Sequence, residues 1–258
     1  MGRHEDVDNI VVIKLGGSFI TEKDKPFTFR ERQTIDAISA LKRSGAMFAI
    51  VHGGGSFGHP IALRYHLSGS SYLQSGVGVS ETRSAMHQLS YMVYQKLEAA
   101  GFKPFLLHAS SLIGHDGSPA RGYRETISKL VETSLTPLSH GDVCLFKEGY
   151  KIVSGDQIAY LFCRALRPFR MIYVFDQPGI LAKAGDRKSI IYHLTTDEVR
   201  DMTMVEGNDA TGGLKNKLIS ASKVASMGID TCFVSGFDTD GLIRAVGGLK
   251  FEGTLLQR

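Results

Sequence analysis

Short runs of apolar, largely β-branched residues recur along this chain, and longer segments with apolar residues at helical spacing separate them. Each run has the length of a buried strand, and each intervening segment is long enough to cross back over a sheet. That alternation predicts an α/β fold, a three-layer αβα sandwich with a mainly parallel central sheet. Strands are expected at 10–15, 46–52, 104–108, 135–139, 171–175 and 230–235, and the clearest helices at 28–44, 79–100, 155–167 and 212–227. The last of these sets Leu214, Leu218, Ile219, Ala221, Val224 and Ala225 on one face. The stretches 113–120 and 144–153 read as β-hairpins beside the sheet, turning at Asp-Gly and Glu-Gly. No repeat, linker or shift in composition divides the chain, so residues 1–258 read as one domain, with halves of about 1–167 and 168–258 meeting near Pro168.

Composition narrows the partners. Apolar residues at 43% and charged residues at 22% exclude a disordered or collagen-like chain. The 30 Lys+Arg against 26 Asp+Glu are scattered without the stripe of a nucleic-acid face, which leaves small anions as the expected ligands. Cys144, Cys163 and Cys232 lie in apolar runs without CxxC spacing, as expected of buried thiols in a reducing compartment. No stretch approaches the ~18 apolar residues of a membrane span, and the expectation is a soluble, cytoplasmic protein.

The 29 glycines are informative through their positions. KLGGS (14–18) follows the first strand, HGGGSFGH (52–59) follows the second, SGD (154–156) opens one helix and TGG (211–213) opens another. In open α/β sheets ligands bind beyond the carboxyl ends of strands, where glycine turns let backbone N–H groups face an anion. Neither a GxxxxGK[ST] loop nor a GxGxxG turn after the first strand is present. Two lysines accompany the glycines. Lys14 ends a strand where a core position would be apolar, and Lys217 stands one turn into a helix, able to reach back over its N-terminus. No HExxH or EF-hand spacing suggests a protein metal cage.

KLGGS, VHGGGSFGH, SGDQIA, FDQPGI and DATGGLKNK, in this order, resemble the amino acid kinase superfamily. Within it, KLGGSFITEK, HGGGSFGH and GVSETRSAMHQLSYMV most resemble the isopentenyl phosphate kinases. The resemblance runs from about residue 10 to the closing FEGTLL. It implies an ATP-dependent kinase that phosphorylates a phosphate acceptor, with an acceptor-binding first half and a nucleotide-binding second half. It also implies Mg²⁺ arriving with ATP, and a homodimer. Lys14 and Lys217 would flank the migrating phosphoryl group, Lys23 would add charge, and Asp156 would hold the two lysines. Gly16, Gly17, Ser18, Asp176, Gly179, Gly212 and Gly213 would serve the nucleotide. Gly54, Gly55, Ser56, Gly58, His59, Arg83, Met86 and Gly155 would serve the acceptor. His59 is the discriminating residue, because an imidazole can donate to a phosphate dianion and gain charge as it does so.

The stripe Met86, Leu89, Met92 and Val93 is ordinarily core, and under this resemblance would also hold a five-carbon tail. Two departures stand out. FDQPG (175–179) replaces the family's frequent TDVDG, which leaves base preference open, and Arg83 stands where relatives commonly have histidine. The SFGH segment is shared with fosfomycin kinases, so a kinase of another small phosphate or phosphonate is the alternative enzyme. A non-catalytic nucleotide sensor is the alternative outside catalysis.

Overall fold

Strand β1 (Ile10–Leu15) is buried along its whole length, and its alternation sorts the molecule into two cores. Ile10 and Val12 face one apolar cluster, while Val11, Ile13 and Leu15 face the other. The computed structural model describes residues 9–67, 76–183, 185–204 and 212–258. Around β1 lie β2 (Met47–His52), β3 (Pro104–Leu107), β4 (Thr136–His140), β7 (Arg170–Phe175), β8 (His193–Thr195), β9 (Asp230–Ser235) and β10 (Thr254–Gln257). They form an eight-stranded sheet in the order β3-β4-β2-β1-β7-β9-β10-β8, parallel throughout except where β10 runs against β9. Strands β5 (Asp142–Phe146) and β6 (Gly149–Val153) make a separate two-stranded hairpin.

Helices cover both faces, as expected for a parallel sheet. On the Val11 side pack α1 (Gly17–Ile20), α2 (Glu31–Arg43), α3 (Gly55–Arg64), α4 (Gly76–Ala99) and α10 (Thr239–Val246). On the Ile10 side pack α6 (Tyr123–Glu132), α7 (Gly155–Leu166), α8 (Thr196–Met204) and α9 (Gly212–Ala225), with the short α5 (Ala109–Leu112) at the end of β3. Ser154 caps α7 by accepting from Gln157 N–H, and the Gln157 side chain accepts from Ser154 N–H in return. The three cysteines are buried free thiols. No helix among the described residues is long and apolar enough to cross a membrane.

Three local expectations are corrected. The HGGGSFGH segment is a helix rather than a loop beyond Gly54, even though Pro60 lies inside it. Proline has no N–H to give the carbonyl four residues back, but that carbonyl, Ser56 O, accepts instead from Phe27 N–H at 3.1 Å. Residues 113–120 form a turn closed by a single bridge between Ile113 and Pro119, because Gly117 and the Asp116 side chain fold it too tightly for two strands. Of the stripe on α4, Leu89 and Val93 lie wholly in the core and Met92 is partly buried against it, leaving Met86 as the member that reaches the glycine turns.

Candidate active site

Strand periodicity decides which neighbours Lys14 can meet. It shares the β1 face of Ile10 and Val12, the face on which α7 and α9 pack, and these helices carry Asp156 and Lys217. Lys14 is 6% exposed, and its Nζ lies 2.7 Å from Asp156 Oδ1. A buried ammonium is tolerated only with such a partner. The half-buried Lys217 lies with its ammonium 4.7 Å from the centre of the Phe175 ring. Burial first and the Lys14 charge second lower its pKa to about 8, with Asp156 and Asp176 opposing the fall. Two lysines and two carboxylates therefore share one small space. The phenylalanine that departs from the family pattern supplies an aromatic face to one of the cations.

The glycine turns meet directly beside this group. Gly16 N–H donates to Val174 O at 2.7 Å. An added Cβ at Gly17 would overlap the backbone of Gly55, and one at Gly155 would sit 2.8 Å from His52 O and 3.5 Å from Lys14 Cε. Gly53 is equally close, its missing Cβ position lying 3.7 Å from Lys14 Nζ. These positions need glycine because backbone approaches backbone. Thr21 joins the two turns: its hydroxyl donates to Gly17 O at 2.7 Å and accepts from Ser56 N–H at 2.9 Å. In the sequence, Thr21 is marked only as a hydroxyl four residues after a glycine turn. Ser18 Oγ donates to Asp176 Oδ1 at 2.8 Å, tying the first turn to the end of β7.

On the other side of the turns, Met86 Sδ stands over Gly54 and Gly58, close enough that a Cβ at Gly58 would sit 2.9 Å from it. His59 is exposed on α3, with part of its ring enclosed. Desolvation of the enclosed part of its ring, and then the Lys14 charge, hold its pKa below the ordinary histidine value. His52 is fully buried and stacked on His140 at 5.2 Å; burial, with His140 next, pulls its pKa down to about 3.

Other expected residues lie apart. Lys23 is exposed in the turn after α1, without an ion pair to any described residue. Arg83 is engaged with Asp142 Oδ2 at 3.0 Å and donates to Val143 O at 2.7 Å. Gly179 is buried against Ile190 and Thr254, where an added Cβ would lie 2.9 Å from each, so packing accounts for it. Gly212 and Gly213 open α9, and Gly213 has open space around it. Asp209 to Thr211, which begin the DATGG motif, lie outside the described residues.

A parallel sheet with glycine turns and paired cations at its carboxyl end describes a phosphoryl-transfer enzyme of the amino acid kinase kind. The chain belongs to the amino acid kinase family, whose model matches residues 9–235. It is 32% identical to isopentenyl phosphate kinase of Haloferax volcanii, over 96% of this chain and 99% of that protein. With the Thermoplasma acidophilum isopentenyl phosphate kinase the identity is 28%, over 96% of this chain and all of the relative. The T. acidophilum enzyme's crystal structure as a product complex superposes with a TM-score of 0.81, at 26% identity over 96% of this chain and 100% of that one. Within the family, the chain belongs with the isopentenyl phosphate kinases.

Proposed function

We propose that this protein transfers the γ-phosphoryl group of ATP to the phosphate of isopentenyl phosphate, giving isopentenyl diphosphate and ADP by direct in-line displacement. The observation that carries the reading is the pair Lys14 and Lys217, gathered around Asp156 where the Gly16–Gly17 and Gly53–Gly55 turns touch. An acceptor that is itself a phosphate brings two anions into contact. Two unit charges 4 Å apart repel by about 4 kcal/mol at an effective dielectric near 20, and each partner carries more than one charge. The required catalysis is positioning and neutralisation. Lys14, held in place by Asp156, serves the acceptor side of the migrating group; Lys217 serves the ATP side, where anion binding raises its depressed pKa and keeps it charged.

Backbone N–H groups of the two turns complete the cradle, and an added Cβ at Gly17 would fill it. No general base is needed, because the attacking phosphate oxygen is already ionised. His59 binds the acceptor phosphate by donating to it. Mg²⁺ comes with ATP and supplies further neutralisation of its phosphates. The carboxylates facing this space are already engaged, Asp156 in its ion pair with Lys14 and Asp176 in accepting from Ser18, so phosphate oxygens and water would carry the ion. The same reading includes an acceptor side in residues 1–167, a nucleotide side in 168–258, a homodimer and a cytoplasmic setting, all on family resemblance.

The test is ADP release measured side by side with isopentenyl phosphate, dimethylallyl phosphate, fosfomycin and an N-acyl amino acid. Preference for the isoprenoid monophosphates is expected. Turnover of fosfomycin or the N-acyl amino acid alone would reassign the acceptor.

A further inference from the structure

The acceptor half contains a second polar cluster that phosphoryl transfer does not use. Strands β2, β4 and β3 lie side by side, and each ends in a histidine: His52 and His140 close β2 and β4 in register, and His108 follows β3 directly. Strand alternation turns His140 and His108 toward the face covered by α4, which brings down His87, and Asp142 begins β5 two residues after His140. One donor atom from each of His87, His108, His140 and Asp142 lies within 4.8 Å of the other three. The ring centres of His87 and His108 are 5.0 Å apart, and His140 stands edge-on to both.

Two details orient this cluster toward a ligand. His140 is completely buried, and its Nδ1 lies 2.9 Å from Gly141 O, so the proton sits on Nδ1 and the lone pair on Nε2. That Nε2 is buried with no hydrogen-bond partner. A histidine held through one nitrogen by a backbone carbonyl, with the other nitrogen bare, has the tautomer of a metal ligand and its supporting contact. Asp142 is similarly fixed: Oδ1 accepts from Val143 N–H at 2.8 Å, while Oδ2 faces the cluster, 4.0 Å from His87 Nε2 and 3.0 Å from Arg83. Arg83 pairs with Oδ2 by charge while its hydrogen bond goes to Val143 O, so Oδ2 is buried without a hydrogen-bond partner. The Arg83 side chain is 30% exposed, with room to move outward as positive charge enters.

We propose that His87, His108, His140 and Asp142 bind a divalent transition ion of the zinc type, separate from the Mg²⁺ that accompanies ATP. Three imidazoles and one carboxylate suit that class and not a hard, oxygen-seeking ion. Tetrahedral ligands at zinc distances are spaced about 3.3 Å apart, which these side chains reach by movements of about 1 Å. The ion would tie α4 to the ends of β3 and β4. Because α4 also carries Met86 onto Gly54 and Gly58, it would fix the acceptor side of the catalytic cleft.

The test is calorimetric titration of chelator-stripped full-length protein with Zn²⁺ in the absence of nucleotide, with Mg²⁺ as comparison and Co²⁺ as spectroscopic probe. His108→Ala and His87→Ala are the variants, both at positions open to solvent, and circular dichroism checks their fold. We expect one Zn²⁺ per chain with Kd of about 1 µM or tighter, intense visible bands of tetrahedral Co²⁺, no equivalent Mg²⁺ binding, and at least about 100-fold weaker Zn²⁺ binding in each folded variant. Absence of saturable Zn²⁺ binding, or equal affinity in wild type and folded variants, would overturn the site. Loss of acceptor affinity in His108→Ala without any Zn²⁺ binding would also overturn it and give the cluster to the acceptor.

Discussion

Lys217→Met should make the protein more stable and nearly inactive. The lysine's pKa falls from its ordinary 10.5 to about 8, through burial first and the neighbouring Lys14 second. The unfolded chain holds this proton up to pH 10.5 and the folded chain only to about 8. At neutral pH the charge therefore opposes folding. At 1.36 kcal/mol per pKa unit the opposition is about 3 kcal/mol, reduced to about 2–3 kcal/mol by solvent at the partly exposed stem. Methionine is an unbranched side chain one atom shorter, apolar enough to pack toward Phe175, and it removes the charge. The variant should melt about 4–8 °C higher at pH 7. The difference should shrink above pH 8 and vanish near pH 10.5, because wild-type stability rises through that window as the folded lysine gives up its proton. Turnover should fall by about 10²–10³-fold with the loss of one cation from the transition state. Melting curves at pH 7 and pH 10, with kcat at pH 7, test this. A variant no more stable than wild type at pH 7, or a difference that does not depend on pH, would refute the electrostatic reasoning.

Lys14→Ala should lower kcat by at least about 10²-fold with little change in ATP affinity, measured by ADP release and nucleotide titration. It also strands Asp156, so its melting temperature should fall as well. His59→Ala should raise the acceptor KM while leaving the ATP KM near wild type; unchanged acceptor kinetics would remove His59 from the phosphate site. Gly17→Ala should cost about 2–3 kcal/mol, read in a denaturant melt, because its methyl group meets the Gly55 backbone and the two turns must part.

The centre of the parallel sheet was legible because β1, β2, β7 and β9 are buried on both faces and so read as short apolar runs. The runs at 10–15 and 230–235 match β1 and β9 residue for residue. Lys14 was legible for the same reason, a charge where the pattern calls for core. The α3 helix was not, since glycines and Pro60 argue locally against helix, and the contact that permits it comes from Phe27, nearly thirty positions earlier. The amphipathic α6 carries Tyr123, Ile127, Leu130 and Val131 on one face, a usable signal in a segment too short to stand out. The histidine cluster could not be read from spacing at all. Its members come from four separate elements, and only the β2-β4-β3 strand order brings them together. Arg83 illustrates the converse: the sequence offered it to the acceptor, and the fold engages it with Asp142.

The central claim is that a phosphoryl group passes directly between two anions across the Lys14–Asp156–Lys217 group. The stereochemical course at phosphorus tests it most directly. ATP made chiral at its γ-phosphorus with oxygen isotopes and sulfur should react with isopentenyl phosphate to give a diphosphate of inverted configuration, as a single in-line displacement requires. Retention would mean two displacements through a phosphorylated side chain and would contradict the account.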